Sequence, residues 1–178
     1  MKTLLGRTLG ALAFAFTLSA TAHDLHVGDT APHFKLKASD GKTYSLKQFH
    51  GKQAVVVAWF PKAFTGGCTK ECASMREFGS DLKKLNVAYF TASVDRVEGE
   101  KGNAAFAKSL DLDYPILSDP SKKTAKAYGI LNSRGMASRV TFFIGKNGKI
   151  LKIDRMVKTV QHGLDIAKYL GDLGVEKR

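Results

Sequence analysis

Two cysteines four residues apart, Cys68 and Cys72, are the side chains of this sequence best suited to covalent chemistry. The apolar run Val55–Phe60 before them predicts a buried strand, and the pattern after Cys68 turns helical. The Cys68 thiol is therefore expected in a loop that leads into a helix. Unpaired backbone N–H groups and the positive end of the helix dipole favour a thiolate there. Because the thiolate is the nucleophilic form of cysteine, Cys68 is a candidate nucleophile.

Two residues upstream of Cys68, Thr65 and Pro61, are candidates for supporting this thiol. Thr65 precedes it by three residues, across Gly66 and Gly67. The Thr65 hydroxyl is expected to curl back and hydrogen-bond either the sulfur or a bound oxygen substrate. Pro61 is expected to shape the loop and shield the thiol rather than to take part in the reaction.

These residues also carry a family resemblance. Pro61, Thr65 and Cys68 reproduce the Pro-x-x-x-Thr-x-x-Cys signature of peroxiredoxins, and residues 65–71 resemble the Q-type group, named for bacterioferritin co-migratory protein. The likeness extends from near Val27 to Ile144. It implies a thiol-dependent peroxidase for hydrogen peroxide and small organic hydroperoxides that uses no metal and no bound cofactor. It also implies a monomer that a thioredoxin-like dithiol protein recycles.

The resemblance places the family's second functional residue, an arginine, at Arg139. In a thioredoxin-like sheet, the strand that Arg139 opens would neighbour the strand ending at Pro61. The guanidinium would then lie near Cys68, stabilise its thiolate and hold peroxide oxygens by charge-assisted hydrogen bonds. An exposed surface charge is the alternative for Arg139. Glu71 either orients Arg139 or complements the helix dipole.

Cys72 has two interpretations. The resemblance implies a resolving thiol, whereas the apolar stripe that Cys72 shares with Met75 and Leu82 indicates a core residue. Helix geometry places β-carbons at i and i+4 about 6 Å apart, and a disulfide requires about 4 Å. A bridge between Cys68 and Cys72 therefore needs the first helical turn to unwind. Q-type enzymes more often place the second cysteine one residue later, where Ala73 stands.

Two other functional classes share parts of this pattern. Copper chaperones of the Sco family have a Cys-x-x-x-Cys pair, which the Cys68–Cys72 pair resembles, and soft thiolates suit copper(I). That family, however, has a histidine ligand where Arg139 stands and sets its threonine two residues before the first cysteine. A thioredoxin-type oxidoreductase would have Cys-x-x-Cys and a cis-proline where Val140 stands.

Residues 1–22 have the pattern of a secretory signal peptide. Lys2 and Arg7 precede an apolar stretch, and the small residues 20–22 predict cleavage after Ala22. The apolar stretch is shorter than the ~20 residues of a membrane-spanning helix, so no stable membrane association is expected after cleavage. Export predicts a bacterial periplasmic location, where two cysteines can form a disulfide.

Residues 23–178 are predicted to form one domain. The whole chain has a formal charge of +12, which falls to about +10 without Lys2 and Arg7. The lysines are spread singly rather than gathered in a stripe with aromatic residues, so a solvated basic surface is expected and no nucleic-acid partner. His50 and His162 have no partner at ligand spacing, and the sequence assigns them no function.

Strands and helices alternate along residues 34–170. Strands are predicted at 34–37, 42–46, 55–60, 87–94, 139–144 and 149–153, and helices at 69–85, 103–110, 121–128 and 160–170. The last helix is expected to bury Val160, Leu164, Ala167 and Leu170. This order predicts an α/β fold, a mixed sheet flanked by helices on both sides. The resemblance implies that the fold is thioredoxin-like, with an N-terminal β-hairpin extension.

Overall fold

The structure is a computed structural model, and it describes residues 24–178. The predicted signal peptide, residues 1–22, lies outside the described residues, as does His23. Within the described part of the chain, no helix combines the length and apolar character that crossing a membrane requires.

Seven strands and five helices alternate through the described residues. The strands are β1 Lys35–Ala38, β2 Thr43–Ser45, β3 Ala54–Trp59, β4 Val87–Ser93, β5 Ile116–Ser118, β6 Val140–Ile144 and β7 Ile150–Asp154. The helices are α1 Gly66–Glu77, α2 Gly79–Lys83, α3 Asn103–Ser109, α4 Lys123–Ala127 and α5 His162–Asp172. A short 3-10 turn follows β2 at Leu46–Gln48.

The strands form one mixed sheet in the order β2-β1-β5-β4-β3-β6-β7. At its centre, β3 pairs in parallel with β4 and antiparallel with β6. Val55 and Val57 pack into the core on one face of the sheet, and Val56 and Ala58 pack into the core on the other. Helices cover both faces, which explains why the sequence of β3 is an unbroken apolar run rather than an alternating one.

The predicted N-terminal hairpin forms from β1 and β2 and joins the main sheet through β5. β5 was not among the predicted strands. It has only three residues, too few to show a periodic pattern, and it is fixed by pairing with β4 on one side and β1 on the other. The hairpin is therefore one edge of a single seven-stranded sheet.

The single helix predicted at 69–85 is divided into α1 and α2. The chain leaves helical geometry at Phe78, where φ is −94° and ψ is 10°. A β-carbon at the next residue, Gly79, would lie 2.9 Å from a carboxylate oxygen of Asp113. Glycine permits this close approach, and the chain bends where it occurs.

The last helix is present, but only half of its predicted buried face is confirmed. Val160 precedes α5 and is 65% exposed, and Leu164 is 48% exposed. Leu170 is buried as predicted and Ala167 packs against the core, and the helix also buries His162, Gly163 and Ile166. Gly163 sets the orientation of α5, because its backbone N–H donates to the Ser74 hydroxyl at 3.1 Å and brings this face of the helix onto α1.

Candidate active site

The loop between β3 and α1 is held in place by the neighbouring strand. The Ala63 backbone N–H donates to Oδ2 of Asp95, just beyond the end of β4, at 2.9 Å. Phe64 adopts the left-handed backbone region, with φ of 61°, and its ring lies 5.0 Å from that of Phe106. Such a conformation is costly for a bulky residue, so the surrounding contacts must hold it.

Cys68 is the third residue of α1, one turn deeper into the helix than the sequence predicts. Thr65 is the extended residue before the helix, and its carbonyl accepts the first intrahelical bond, from the Thr69 N–H at 2.9 Å. The Cys68 side chain is only 1% exposed. Its backbone N–H belongs to the first turn, where amide groups have no partner within the helix and the dipole is positive.

Arg139 reaches Cys68 from the sheet. Because Trp59 at the end of β3 pairs with Val140 at the start of β6, Arg139 lies beside the loop that carries Cys68. Its Nη2 donates to the Cys68 sulfur at 3.3 Å. A β-carbon at Gly67 would lie 3.3 Å from the same nitrogen, so glycine leaves room for the guanidinium. The structure thus places a permanent cation on the thiol.

Behind this contact lies a buried carboxylate. Glu71 has no exposed surface and forms an ion pair with Arg139, which makes it a partner of Arg139 rather than a helix-dipole residue. Its second oxygen, Oε1, lies 3.1 Å from Nδ1 of His162. Burial lowers the pKa of His162 to about 4, so the imidazole is neutral at pH 7.

Thr65 differs from its expected contact. Its hydroxyl donates to the Lys62 carbonyl at 2.9 Å instead of bonding the Cys68 sulfur. The side chain is exposed at the start of α1, three residues from the thiol. Pro61 is half-buried immediately after β3 and begins the loop that carries both residues.

Cys72 lies in the same helix as Cys68, without exposed surface. It packs with Phe60, Phe106 and Ile116. Both thiols are free, and burial raises the pKa of Cys72 to about 12. The Tyr114 hydroxyl donates to the Cys72 carbonyl at 2.9 Å, which anchors this turn of the helix.

Sequence reasoning did not identify two residues that support the site. Asp95 follows directly after a buried strand, and a polar residue there is a signal that could have been used, since the end of β4 meets the end of β3 at one sheet edge. His162 gave no comparable signal. It is a single histidine near a helix start, and only the packing of α5 on α1 brings it to Glu71.

A large cavity in the described part of the chain does not coincide with these residues. It has a volume of about 810 Å³ and is lined by His33, His50, Val55 and Asn147, among others. Val55 lies near the start of β3, whereas Cys68 follows its end. The chemistry of the buried thiol and its cation, rather than cavity size, therefore identifies the candidate active site.

A buried thiol in the first turn of a helix, with an arginine against its sulfur, is an arrangement suited to nucleophilic thiol chemistry. The chain belongs to the AhpC/TSA family, whose model matches residues 27–153. Peroxiredoxin Bcp of Escherichia coli is 32% identical over 145 residues, 78% of this chain and 90% of that protein. A putative peroxiredoxin bcp of Haemophilus influenzae is 31% identical over 156 residues, 84% of this chain and 98% of that protein.

Solved structures agree with this membership. Peroxidoxin BcpB from Mycobacterium tuberculosis superimposes with a TM-score of 0.72 at 29% identity, covering 83% of this chain and 96% of that one. A mutant of PrxQ from Xylella fastidiosa superimposes with a TM-score of 0.77, covering 86% of this chain and 99% of that one. Its sequence identity is 23%, so it supports the fold alone. The chain is thus a thiol-dependent peroxidase, an oxidoreductase. The peroxiredoxin prediction is confirmed over the Sco-like and thioredoxin-type alternatives.

Proposed function

We propose that Cys68 is the residue that reacts with peroxide. Its thiolate attacks the terminal oxygen of a hydroperoxide, so that an S–O bond forms as the O–O bond breaks. Cys68 becomes a sulfenic acid, two electrons pass from sulfur to the peroxide, and the leaving oxygen takes a proton to form water or an alcohol. The observation that carries this assignment is the 3.3 Å contact between Nη2 of Arg139 and the Cys68 sulfur.

Arg139 has two functions in this proposal. Its charge favours the thiolate before the reaction, and its N–H groups stabilise the charge that moves onto the leaving oxygen. The ion pair with Glu71 fixes one side of the guanidinium and leaves Nη2 directed at the sulfur. Thr65 is exposed beside this point, and its hydroxyl orients the bound peroxide after exchanging its bond to the Lys62 carbonyl.

Cys72 is proposed as the resolving thiol. With a pKa raised to about 12 by burial, it is protonated and poorly nucleophilic while α1 is intact. Unwinding the first turns of α1 exposes the thiol and removes the cause of the shift. Cys72 then attacks the sulfenic sulfur of Cys68, a disulfide forms and water leaves. A thioredoxin-like dithiol protein reduces the bridge by exchange and restores both thiols.

The substrate, the reducing partner and the assembly state are proposed together with the site. Peroxiredoxins act on hydroperoxides with a thioredoxin-like reductant. Since Cys68 is nearly inaccessible beneath its loop, hydrogen peroxide and small organic hydroperoxides are the proposed substrates. The proposed state of the enzyme is a monomer.

Export to a bacterial periplasm is also proposed, on the basis of the charged, apolar and small-residue segments of residues 1–22. In that compartment the Cys68–Cys72 bridge would persist until the dithiol partner opens it. Cell fractionation tests this. The full chain is expected to appear in the periplasmic fraction, shortened by 22 residues, and a variant lacking residues 2–22 is expected to remain in the cytoplasm. Equal distribution of the two chains would contradict export.

A stoichiometric titration tests the two-cysteine cycle. With hydrogen peroxide and a thioredoxin system, wild-type protein is expected to turn over repeatedly. Cys72→Ser is expected to consume one equivalent at the wild-type rate and then to stop as sulfenic acid, or to proceed to sulfinic acid in excess peroxide. Sustained turnover by Cys72→Ser would show that an external thiol resolves Cys68. A slow first equivalent would instead place Cys72 in the peroxide step.

A further inference from the structure

His162 is a buried titratable group near the site that the proposed reaction does not use. It is 1% exposed and opens α5, on the opposite side of Glu71 from Arg139. A fully buried carboxylate needs partners for both of its oxygens. Arg139 pairs with one Glu71 oxygen, and Nδ1 of His162 lies 3.1 Å from the other.

The position of the imidazole is fixed from two further directions. Its Nε2 lies 2.9 Å from the hydroxyl of Thr141, which is fully buried on β6 between Ala58 of β3 and Asp154 of β7. The helix that carries it packs tightly against α1. A β-carbon at Gly163 would lie 2.4 Å from the Ser74 carbonyl oxygen, so the two helices are already in closest contact.

The neighbours of the ring assign its tautomer. A carboxylate can only accept a hydrogen bond, so we assign the proton of the neutral imidazole to Nδ1, which lies 3.1 Å from Glu71 Oε1 and has no aligned hydrogen-bond partner among the described residues. Nε2 is then the acceptor of the Thr141 hydroxyl. The resulting order of contacts runs from the sheet to the thiol: Thr141, His162, Glu71, Arg139 and Cys68.

We propose that His162 is a positioning residue for the peroxidase reaction, which holds Glu71 so that Glu71 holds Arg139 against the Cys68 sulfur. The inference rests on the proposed function of Arg139 at Cys68 and extends it to a residue of α5. Without the Nδ1–H donor, Glu71 loses the partner of one oxygen and is free to rotate. The guanidinium then loses its fixed orientation, and the thiolate loses a cation held at hydrogen-bonding distance.

Two amide substitutions separate the contacts of the ring. The amide nitrogen of asparagine occupies a position close to Nδ1 of histidine, and that of glutamine a position close to Nε2. His162→Asn therefore keeps a donor for Glu71, whereas His162→Gln keeps a group near Thr141 and loses that donor. His50→Gln is the matched control, because His50 lines the cavity at the other end of β3.

The measurements are the first-turnover rate of Cys68 oxidation by hydrogen peroxide, its pH profile and the melting temperature of each variant. His162→Gln is expected to slow oxidation about tenfold at pH 7 and to shift the profile to higher pH. His162→Asn is expected to recover most of that loss, and His50→Gln to match wild type. Four charged groups contact the ring or influence its pKa, and they are Glu71, Arg139, Asp154 and Asp165.

The double variant His162→Gln/Arg139→Met makes the test specific. If His162 acts through Arg139, the double variant oxidises no more slowly than Arg139→Met alone. Wild-type rate and pH profile in folded His162→Gln, or equal losses in the Asn and Gln variants, would overturn the inference. If Arg139→Met itself reacted normally, the proposed function of Arg139 would fail first, and that result is read independently.

Discussion

Cys68 and Cys72 are buried to nearly the same extent, lie in the same helix and pack in the same apolar cluster, yet their surroundings differ in charge. Cys68 lies in the first turn of α1 with the Arg139 guanidinium at 3.3 Å. Cys72 lies one turn further on, and burial raises its pKa to about 12. Burial by itself makes a cysteine inert. In the proposed function, a fixed cation and a helix N-terminus at the same depth make the neighbouring cysteine the nucleophile.

The largest expected effect comes from removing the reactive sulfur. Cys68→Ser is expected to abolish peroxide consumption and to leave the melting temperature nearly unchanged, since the hydroxyl is smaller than the thiol and much less nucleophilic. A thioredoxin-coupled peroxide assay measures this. The serine variant at Cys72 is the control and retains its first turnover. Peroxide consumption by Cys68→Ser at the wild-type rate would transfer the activity to another residue.

Removing the cation is the next largest change. Arg139→Met keeps a long side chain without charge, and first-turnover oxidation is expected to slow by one to two orders of magnitude, with tenfold corresponding to ~1.4 kcal/mol. Stopped-flow oxidation with hydrogen peroxide measures it. Because the substitution leaves buried Glu71 without its cation, Arg139→Met/Glu71→Gln is the companion variant. Arg134→Met, on the exposed segment before β6, is the control and should react as wild type.

If Arg139→Met oxidised as fast as Arg134→Met, Cys68 and Cys72 would differ only in position along the helix. The helix N-terminus would then be the whole source of activation.

Acid pH is expected to weaken the fold through His162. Its pKa is lowered to about 4 in the folded chain, below the ~6.5 of an unfolded histidine. Between these values the unfolded chain binds more protons, so the free energy of unfolding falls as pH falls from about 6.5 toward 4. Urea unfolding of wild type and His162→Asn at several pH values isolates this contribution. Parallel pH curves for the two proteins would show that the ring titrates normally when folded.

The smallest expected effect concerns the anchor of Cys72. Tyr114→Phe removes the hydroxyl that donates to the Cys72 carbonyl at 2.9 Å, a change of about 1 kcal/mol. Faster amide exchange at residues 69–75 and a few-fold faster disulfide formation after peroxide are expected. Tyr169→Phe on α5 is the control. Unchanged exchange and bridge formation in Tyr114→Phe would show that this bond does not limit unwinding.

The sequence predicted the fold class and the central strands because their patterns are local. β3 is an unbroken apolar run, and the Asn147–Gly148 pair predicted the hairpin of β6 and β7. It missed β5, whose three residues are fixed only by two neighbouring strands. It also predicted burial of Val160 and Leu164, which are exposed, because the close contact of Gly163 with Ser74 is a tertiary feature that outweighs apolar spacing.

The site residues also differ in whether local sequence patterns or tertiary contacts place them. Pro61, Thr65, Cys68 and Arg139 could be found from spacing and family resemblance, and the structure brings Cys68 and Arg139 into contact. His162 could not be found in this way, since its partner Glu71 lies 91 positions earlier in the chain. The hydroxyl of Thr65 bonds the Lys62 carbonyl rather than the sulfur, because the extended conformation before α1 directs it back along the loop.

Trapping the first oxidation product tests the central contrast between the two cysteines most directly. Reduced wild-type protein is given a brief pulse of hydrogen peroxide with a sulfenic-acid trapping reagent, and each cysteine is then quantified by peptide mass spectrometry under non-reducing conditions. Trapped sulfenic acid is expected on Cys68 at the earliest times, followed by a Cys68–Cys72 disulfide in the fraction that escaped trapping. Sulfenic acid on Cys72, or equal oxidation of both residues, would contradict that contrast.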